Sequence, residues 1–249
     1  MSIADATKER LLETAGAIFA EKGYRAATVR EICQRAQANL AAVNYYFGDK
    51  ERLYVESIKR AHGRRVEDVP LPDWAAETPA EVRLKGFIET LLGRILCDPN
   101  ADWHGQLMFR EMLHPTAACG ELVEEYIRPH FELLQTILGE LSPPAASAEQ
   151  LRLIAFGVVG QCLYFRIAEP VVSRLLAAEE HQRYQPEYLA EHIANWTLAA
   201  LGRRPFFGAS SDFRSARQNS SEDGLPGRQP ENRRPGRPSS VGEHDSMRN

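Results

Sequence analysis

No run of about 18 consecutive apolar residues occurs in this 249-residue chain, which excludes a single helix able to cross a membrane. Cysteine is sparse. Cys33, Cys97, Cys119 and Cys162 are the four present, and none stand at the C-x-x-C spacing of a zinc or redox motif. Scattered cysteines in a chain of this length read as buried thiols of a cytoplasmic protein. The seven histidines show no metal-ligand spacing, so neither a metal nor a cofactor is expected. Gly-x-Ser-x-Gly and P-loop motifs are missing too, and no hydrolase elbow or phosphate cradle is indicated. The first twenty residues carry Asp5, Lys8, Glu9, Arg10 and Glu13, so no signal peptide is expected there. Proline is absent from residues 1–69, and neither strand-like alternation nor an Asn-Gly hairpin signal occurs anywhere. The expected class is all-α.

What is present is unevenly distributed. The formal net charge is −4, which by itself says nothing about nucleic acid. Residues 1–60, however, carry ten Lys/Arg against eight Asp/Glu, residues 61–202 eleven against twenty, and residues 203–249 nine Arg against six acids. A basic end on an acidic body suits a protein that offers one end to a polyanion.

Beyond Pro70 and Pro72, Pro79 opens a helix whose apolar positions, among them Val82, Leu84, Phe87, Ile88, Leu91, Leu92 and Ile95, recur near a 3.6 period. Asp98-Pro99-Asn100 stops it. A short amphipathic helix is expected over 102–113 and a longer one over 117–141, bent at Pro129. Ser147 and Gln150 form a Ser-x-x-Gln start for a strongly apolar helix over 149–168, which breaks at Glu169-Pro170. A last helix runs over about 186–201, with Gly202 as its C′ residue. Residues 209–249 are rich in Ser, Gly, Pro and Arg and read as a disordered tail.

The densest signal lies in residues 7–54. A first helix buries Leu11, Ala15, Ile18 and Phe19 and closes at Gly23. Thr28 and Glu31 stand as a Thr-x-x-Glu capping box for a second, short helix with Val29, Ile32, Cys33 and Ala36 inward. The connection Ala36-Gln37-Ala38-Asn39 leads to a third helix with Asn39 as N-cap and Leu40, Val43 and Phe47 as its buried side. Asp49 caps a fourth. Two short helices joined by a tight turn are the helix-turn-helix geometry, and the second fits a major groove about 12 Å wide. Small Ala41 and Ala42 allow close approach, Asn and Tyr supply hydrogen bonds, and Lys50 joins a cation to the free N–H groups of a helix start.

The string from Thr28 to Ala36, the segment Asn39–Val43, and Tyr45-Tyr46-Phe47-Gly48-Asp49-Lys50-Glu51-Arg52-Leu53-Tyr54, with Phe-Ala-Glu-Lys-Gly-Tyr at 19–24, closely resemble the TetR family of transcriptional regulators. Gln37 departs from the family pattern, which has glycine in the turn. The resemblance implies an N-terminal helix-turn-helix domain over 4–64 and a helical ligand-binding and dimerisation domain over 79–202. It implies phosphate contacts at Thr28, Tyr46 and Lys50, and a groove-facing set of Asn39, Leu40, Ala41, Asn44 and Tyr45. Asn44-Tyr45, Phe109-Arg110-Glu111 and Val158-Val159-Gly160-Gln161-Cys162 further resemble the CecR (YbiH-like) subfamily, which implies control of an efflux or envelope-related operon. The function implied is a dimeric, ligand-responsive repressor of a palindromic operator, with a small apolar or amphipathic effector and no membrane partner.

For the effector, Trp103, Met108, Phe109, Met112, Phe156, Leu163, Phe165 and Trp196 are enough to line an apolar cavity, while Arg110, Glu111, Gln161 and Arg166 are polar groups on apolar helices that need partners when buried. Either they orient a ligand or they bond one another. The dimer seam is expected along Leu151, Ile154, Ala155, Val158, Cys162 and Phe165, and along Leu189, Ile193, Trp196 and Ala200. The competing function class is an all-helical enzyme using Glu111, His114 and Cys119. A lone Glu-x-x-His lacks the second copy and the further glutamates of a di-iron bundle, and that alternative leaves residues 28–54 unexplained.

Overall fold

The structure, a computed structural model, describes residues 3–96 and 103–203. The helix stop expected at Asp98-Pro99-Asn100 and the tail over 209–249 lie outside them. Among the described residues there is no strand. Among these residues no single helix is long and apolar enough to cross a membrane.

Four helices form the N-terminal part: α1 (Ile3–Ala26), α2 (Val29–Arg35), α3 (Leu40–Phe47) and α4 (Lys50–Asp68). Gly23, at φ 79°, breaks α1 near its end, the left-handed geometry that glycine adopts without penalty. Thr28 caps α2 by accepting from the Glu31 N–H at 3.2 Å. The reciprocal half of the expected capping box is not made, because the Glu31 carboxylate pairs with Lys22 at 2.6 Å and Arg35 at 3.1 Å. The Asn39 side chain accepts from the Ala41 N–H and the Asp49 side chain from the Arg52 N–H, so both expected caps are in place. Leu40 departs from expectation. It lies 54% exposed, because it is the first residue of α3 and only Val43 and Phe47, one and two turns on, reach the core.

The remaining helices are α5 (Ala80–Leu96), α6 (Trp103–Leu113), α7 (Ala118–Leu122), α8 (Arg128–Leu141), α9 (Ala148–Ile167), α10 (Glu169–Leu175), α11 (Ala178–His181) and α12 (Pro186–Ala200). The bend expected at Pro129 takes the form of a wide turn. Val123–Ile127 winds as a π-helix, with the Val123 carbonyl accepting from the Arg128 N–H, so the missing N–H of Pro129 falls where the ladder changes register. Ser147 and Gln150 make both halves of their capping box. At Glu169-Pro170 the chain turns by 74° between α9 and α10. Gly202, at φ 71°, ends α12, with the Arg203 N–H donating back to the Leu198 carbonyl.

The apolar interior is split in two. One core joins α1–α4 through Leu11, Ile18, Phe19, Ile32, Val43, Leu53 and Ile58, and it takes in Leu107 of α6 and Leu122 of α7. The second joins α5, α8, α9 and α12 through residues such as Leu84, Ile88, Leu134, Ala155, Val158, Cys162 and Ile193. By sequence position α6 and α7 belong with the later helices. By packing they are the floor of the first core. Val82, expected inward, is 54% exposed at the start of α5.

Candidate nucleic-acid interface and effector cavity

The outward face of α3 is built by subtraction. Val43 and Phe47 turn into the core, and Asn39, Leu40, Ala41, Asn44 and Tyr45 are left exposed. Tyr45 is 82% exposed, an unusual position for so large a ring unless something covers it. Its ring meets Tyr46 edge-on at 5.0 Å, and Tyr46 is half-buried. Ala42 packs partly against the core rather than facing outward. Thr28 is exposed at the start of α2, and its hydroxyl oxygen already accepts from Glu31, which leaves the hydroxyl hydrogen to donate. Lys50 opens α4, with its ammonium 4.6 Å from the centre of the Tyr24 ring, and burial lowers its pKa below the ordinary lysine value. Tyr24 rests on Tyr54 and Tyr54 on Phe19, so this cation sits on an aromatic stack anchored in the core. The whole face combines small residues, neutral donors and one cation, Lys50, with no acidic side chain among the positions singled out, which suits a phosphate-lined groove.

The turn that sets α3 is left-handed at Gln37, φ 50°, with the Ala38 N–H donating to the Cys33 carbonyl at 2.9 Å. This is the arrangement that usually takes glycine.

A cavity of about 290 Å³ lies between the two cores. Its wall is largely apolar: Phe87, Leu91, Met108, Phe109, Phe131 and Leu163 contribute most visibly. Its polar groups come from several elements: His62 and Arg65 of α4, Thr90 and Arg94 of α5, Tyr126 of the π-turn, His130 of α8 and Arg166 of α9. His130 donates from Nδ1 to the Tyr126 carbonyl at 2.7 Å and accepts at Nε2 from Arg94 at 3.0 Å, which sets its tautomer. The His62 ring lies 4.3 Å from that of Tyr126, and burial, with His130 and Arg94 beside it, holds its pKa down to about 4. The Arg166 guanidinium stands 5.2 Å from the centre of the Phe109 ring.

Of the twelve side chains that the sequence offers for the effector, Met108, Phe109, Met112, Phe156, Leu163 and Arg166 line this cavity, and Trp103, Arg110, Glu111, Gln161, Phe165 and Trp196 do not. Trp103 stacks on His104 and donates from its indole N–H to Glu13 of α1 at 3.0 Å. Arg110 donates to the Ala20 and Glu21 carbonyls at 3.1 and 3.2 Å, which α1 leaves open where it breaks at Gly23. Glu111 is fully buried and accepts from the Tyr54 hydroxyl and from the Thr116 N–H, each at 2.8 Å. Burial and this bond push the Tyr54 phenol well above its ordinary value. Gln161 donates back to the Gly157 carbonyl within α9, and Phe165 packs edge-on against Tyr184. Burial alone makes a polar group need a partner; here the partners are the backbone of α1 and the hydroxyl of α4. The residues sequence reasoning missed are His62, Arg65, Arg94 and His130, which sit on helices with no signal beyond amphipathic spacing.

Glu111, committed to Tyr54 and Thr116, leaves the enzyme alternative without a free carboxylate. Among the described residues no cluster of three or more His, Cys, Asp and Glu could hold a metal ion.

Residues 11–56 match the family described as bacterial regulatory proteins, tetR family, and residues 80–201 match the C-terminal domain of the HTH-type transcriptional dual regulator CecR. CecR of Shigella flexneri is 29% identical over 178 residues, which cover 66% of this chain and 78% of that protein. The transcriptional repressor AcnR of Corynebacterium efficiens is 32% identical over 97 residues, 39% of this chain and 45% of that one. A TetR-like transcriptional regulator from a Rhodococcus species has a similar fold, with a TM-score of 0.55 at 18% identity, covering 80% of this chain and 97% of that one. Two matched domains in this order, on an all-helical fold with an exposed recognition helix, give the chain a TetR-family N-terminal domain followed by a CecR-type C-terminal domain: it is a DNA-binding transcriptional regulator.

Proposed function

We propose that this regulator is a dimeric, ligand-responsive repressor in the cytoplasm that binds a palindromic operator and is released by a small apolar or amphipathic effector in the cavity between its two cores. The resemblance to CecR points to an efflux or envelope-related operon as its target. In this reading Asn39, Leu40, Ala41, Asn44 and Tyr45 face the bases, while Thr28, Tyr46 and Lys50 hold phosphates. One observation carries it. Helix α4 begins with Lys50 beside the recognition helix and, roughly 18 Å further along its axis, contributes His62 to the cavity wall. Arg52 and Lys59 tie the outer side of the same helix to Glu121 and Glu125 at 2.8–3.1 Å. A ligand that binds one tilt of α4 better than another shifts the pair of reading heads, and only through that difference in affinity.

The family dimerises. We infer that the seam is the outer stripe of α9, where Leu153, Tyr164 and Ile167 are more than half exposed and Gly157 and Gly160 lie between them with open space above, joined by Tyr188 and Trp196 of α12. Most of the stripe expected from sequence is buried in the second core of a single chain. Ala155, Val158, Cys162, Leu189 and Ile193 are all at most 2% exposed within a single chain, and only Trp196 of the large apolar residues in that set faces out.

A salt titration on operator and scrambled duplexes tests the DNA-facing assignment. Lys50→Ala weakens both duplexes by similar factors and lowers the salt slope by about one. Asn39→Ser keeps the helix cap but loses the amide donor, and Tyr45→Ala loses the exposed ring. Each lowers operator affinity selectively, by ~1–3 kcal/mol. Equal losses on both duplexes from Asn39→Ser and Tyr45→Ala would put α3 in a different orientation in the groove.

A further inference from the structure

We propose that the effector taken by this cavity is an organic anion, a compact apolar body with a carboxylate-class head, and not a neutral or cationic amphipath. The inference rests on the reading of the cavity as the effector site. Its basis is the sign of the wall. Arg65, Arg94 and Arg166, with His62 and His130, are the titratable side chains with nitrogen on it, and among the described residues no Asp or Glu lines it. Composition runs the other way, since residues 61–202 hold twenty acids against eleven Lys/Arg. The described acids of this region lie on outer surfaces, in pairs such as Arg83–Glu140, Lys85–Glu191 and Arg128–Glu124, or in the buried Glu111 site.

Two groups on the wall are available to a ligand. Arg166 has no ion pair among the described residues, and its guanidinium rests over the Phe109 ring. His62 buries Nδ1 with no hydrogen-bond partner, and burial, with His130 and Arg94 beside it, holds it neutral. An apolar wall weakens dielectric screening, so a negative head gains from each nearby cation, while an ammonium head meets repulsion from all of them. A neutral head gains hydrogen bonds without that charge complement. The volume, about 290 Å³, sits at the small end of ligand sites and suits a bicyclic aromatic or a short alkyl body.

Three probes of one shape separate the possibilities: 2-naphthaleneacetate, 2-naphthaleneacetamide and 2-(2-naphthyl)ethylammonium, titrated calorimetrically into the full chain and scored for release of operator DNA. The carboxylate is expected to bind at least tenfold more tightly than the amide and to release operator, with the ammonium not binding. Arg166→Gln should bring carboxylate and amide within about threefold of each other, Arg166→Lys should restore the preference, and Met108→Trp, which fills the cavity, should remove binding of all three. Thermal melts of each variant confirm that it is folded. Equal binding of carboxylate and amide by the parent, or a preference that survives Arg166→Gln, overturns the anion assignment and leaves the effector cavity standing. Binding by none of the three to the parent overturns the anion assignment. Effector release unchanged by Met108→Trp, with any inducing compound, overturns the cavity reading itself.

Discussion

Gln37 holds a left-handed backbone, φ 50°, in the turn that aims the recognition helix. A side chain there costs roughly 1–2 kcal/mol through the clash of Cβ with the following carbonyl, and glycine removes the clash while adding entropy to the unfolded chain. Gln37→Gly is therefore expected to stabilise the protein by about 0.5–1 kcal/mol in urea unfolding. A loss of stability would mean that the Gln37 side chain makes up for the strain. The strain was legible in the sequence, because Gln37 stands where the family pattern has glycine. So were the caps at Thr28, Asn39, Asp49 and Ser147, since each depends on a side chain and a backbone N–H two or three residues apart. Partners far along the chain were not legible. Glu111 and Tyr54 are 57 positions apart, and nothing in either local pattern distinguishes a carboxylate that meets a tyrosine from one that meets a ligand.

Helix α9 shows why a correctly placed element can still be assigned the wrong neighbours. Around its axis it carries one stripe toward the second core (Ala155, Val158, Cys162), one toward the cavity (Val159, Leu163, Arg166), and one toward solvent (Leu153, Gly157, Gly160, Tyr164, Ile167). All three are rich in apolar residues, so a 3.6 period identifies the helix without telling the stripes apart. Adjacent substitutions separate them. Val158→Glu puts an unpaired charge into the core of one chain and should cost several kcal/mol of folding stability. Gly157→Glu points into open space and replaces a poor helix former by a good one, so the single chain keeps its fold. At the proposed seam, however, two added carboxylates face each other, and sedimentation should give folded monomers with operator affinity lost. A dimeric Gly157→Glu protein would move the seam elsewhere.

At the scale of the whole molecule, the sequence divides cleanly at the prolines of 70–79, but the packing does not. The core under the recognition helix is completed by Leu107, Ala118 and Leu122, and Arg110 and Trp103 add polar contacts to α1 across the same boundary. Each large apolar side chain buried this way contributes about 1.5–3 kcal/mol, and a domain of this size holds only about 5–15 kcal/mol in total. A fragment ending at Val69 should consequently show little cooperative melting by circular dichroism, while the full chain melts with α1–α4 and α6 in one transition. A well-folded fragment would reduce α6 to a ligand-side helix. The same division bears on recombination. A crossover in the proline-rich stretch, the natural place to graft this reading head onto another regulator's sensor, would separate the head from the floor it stands on. The unit that can be transplanted is discontinuous, residues 3–68 with 103–122, and a working hybrid has to carry both pieces from the same parent.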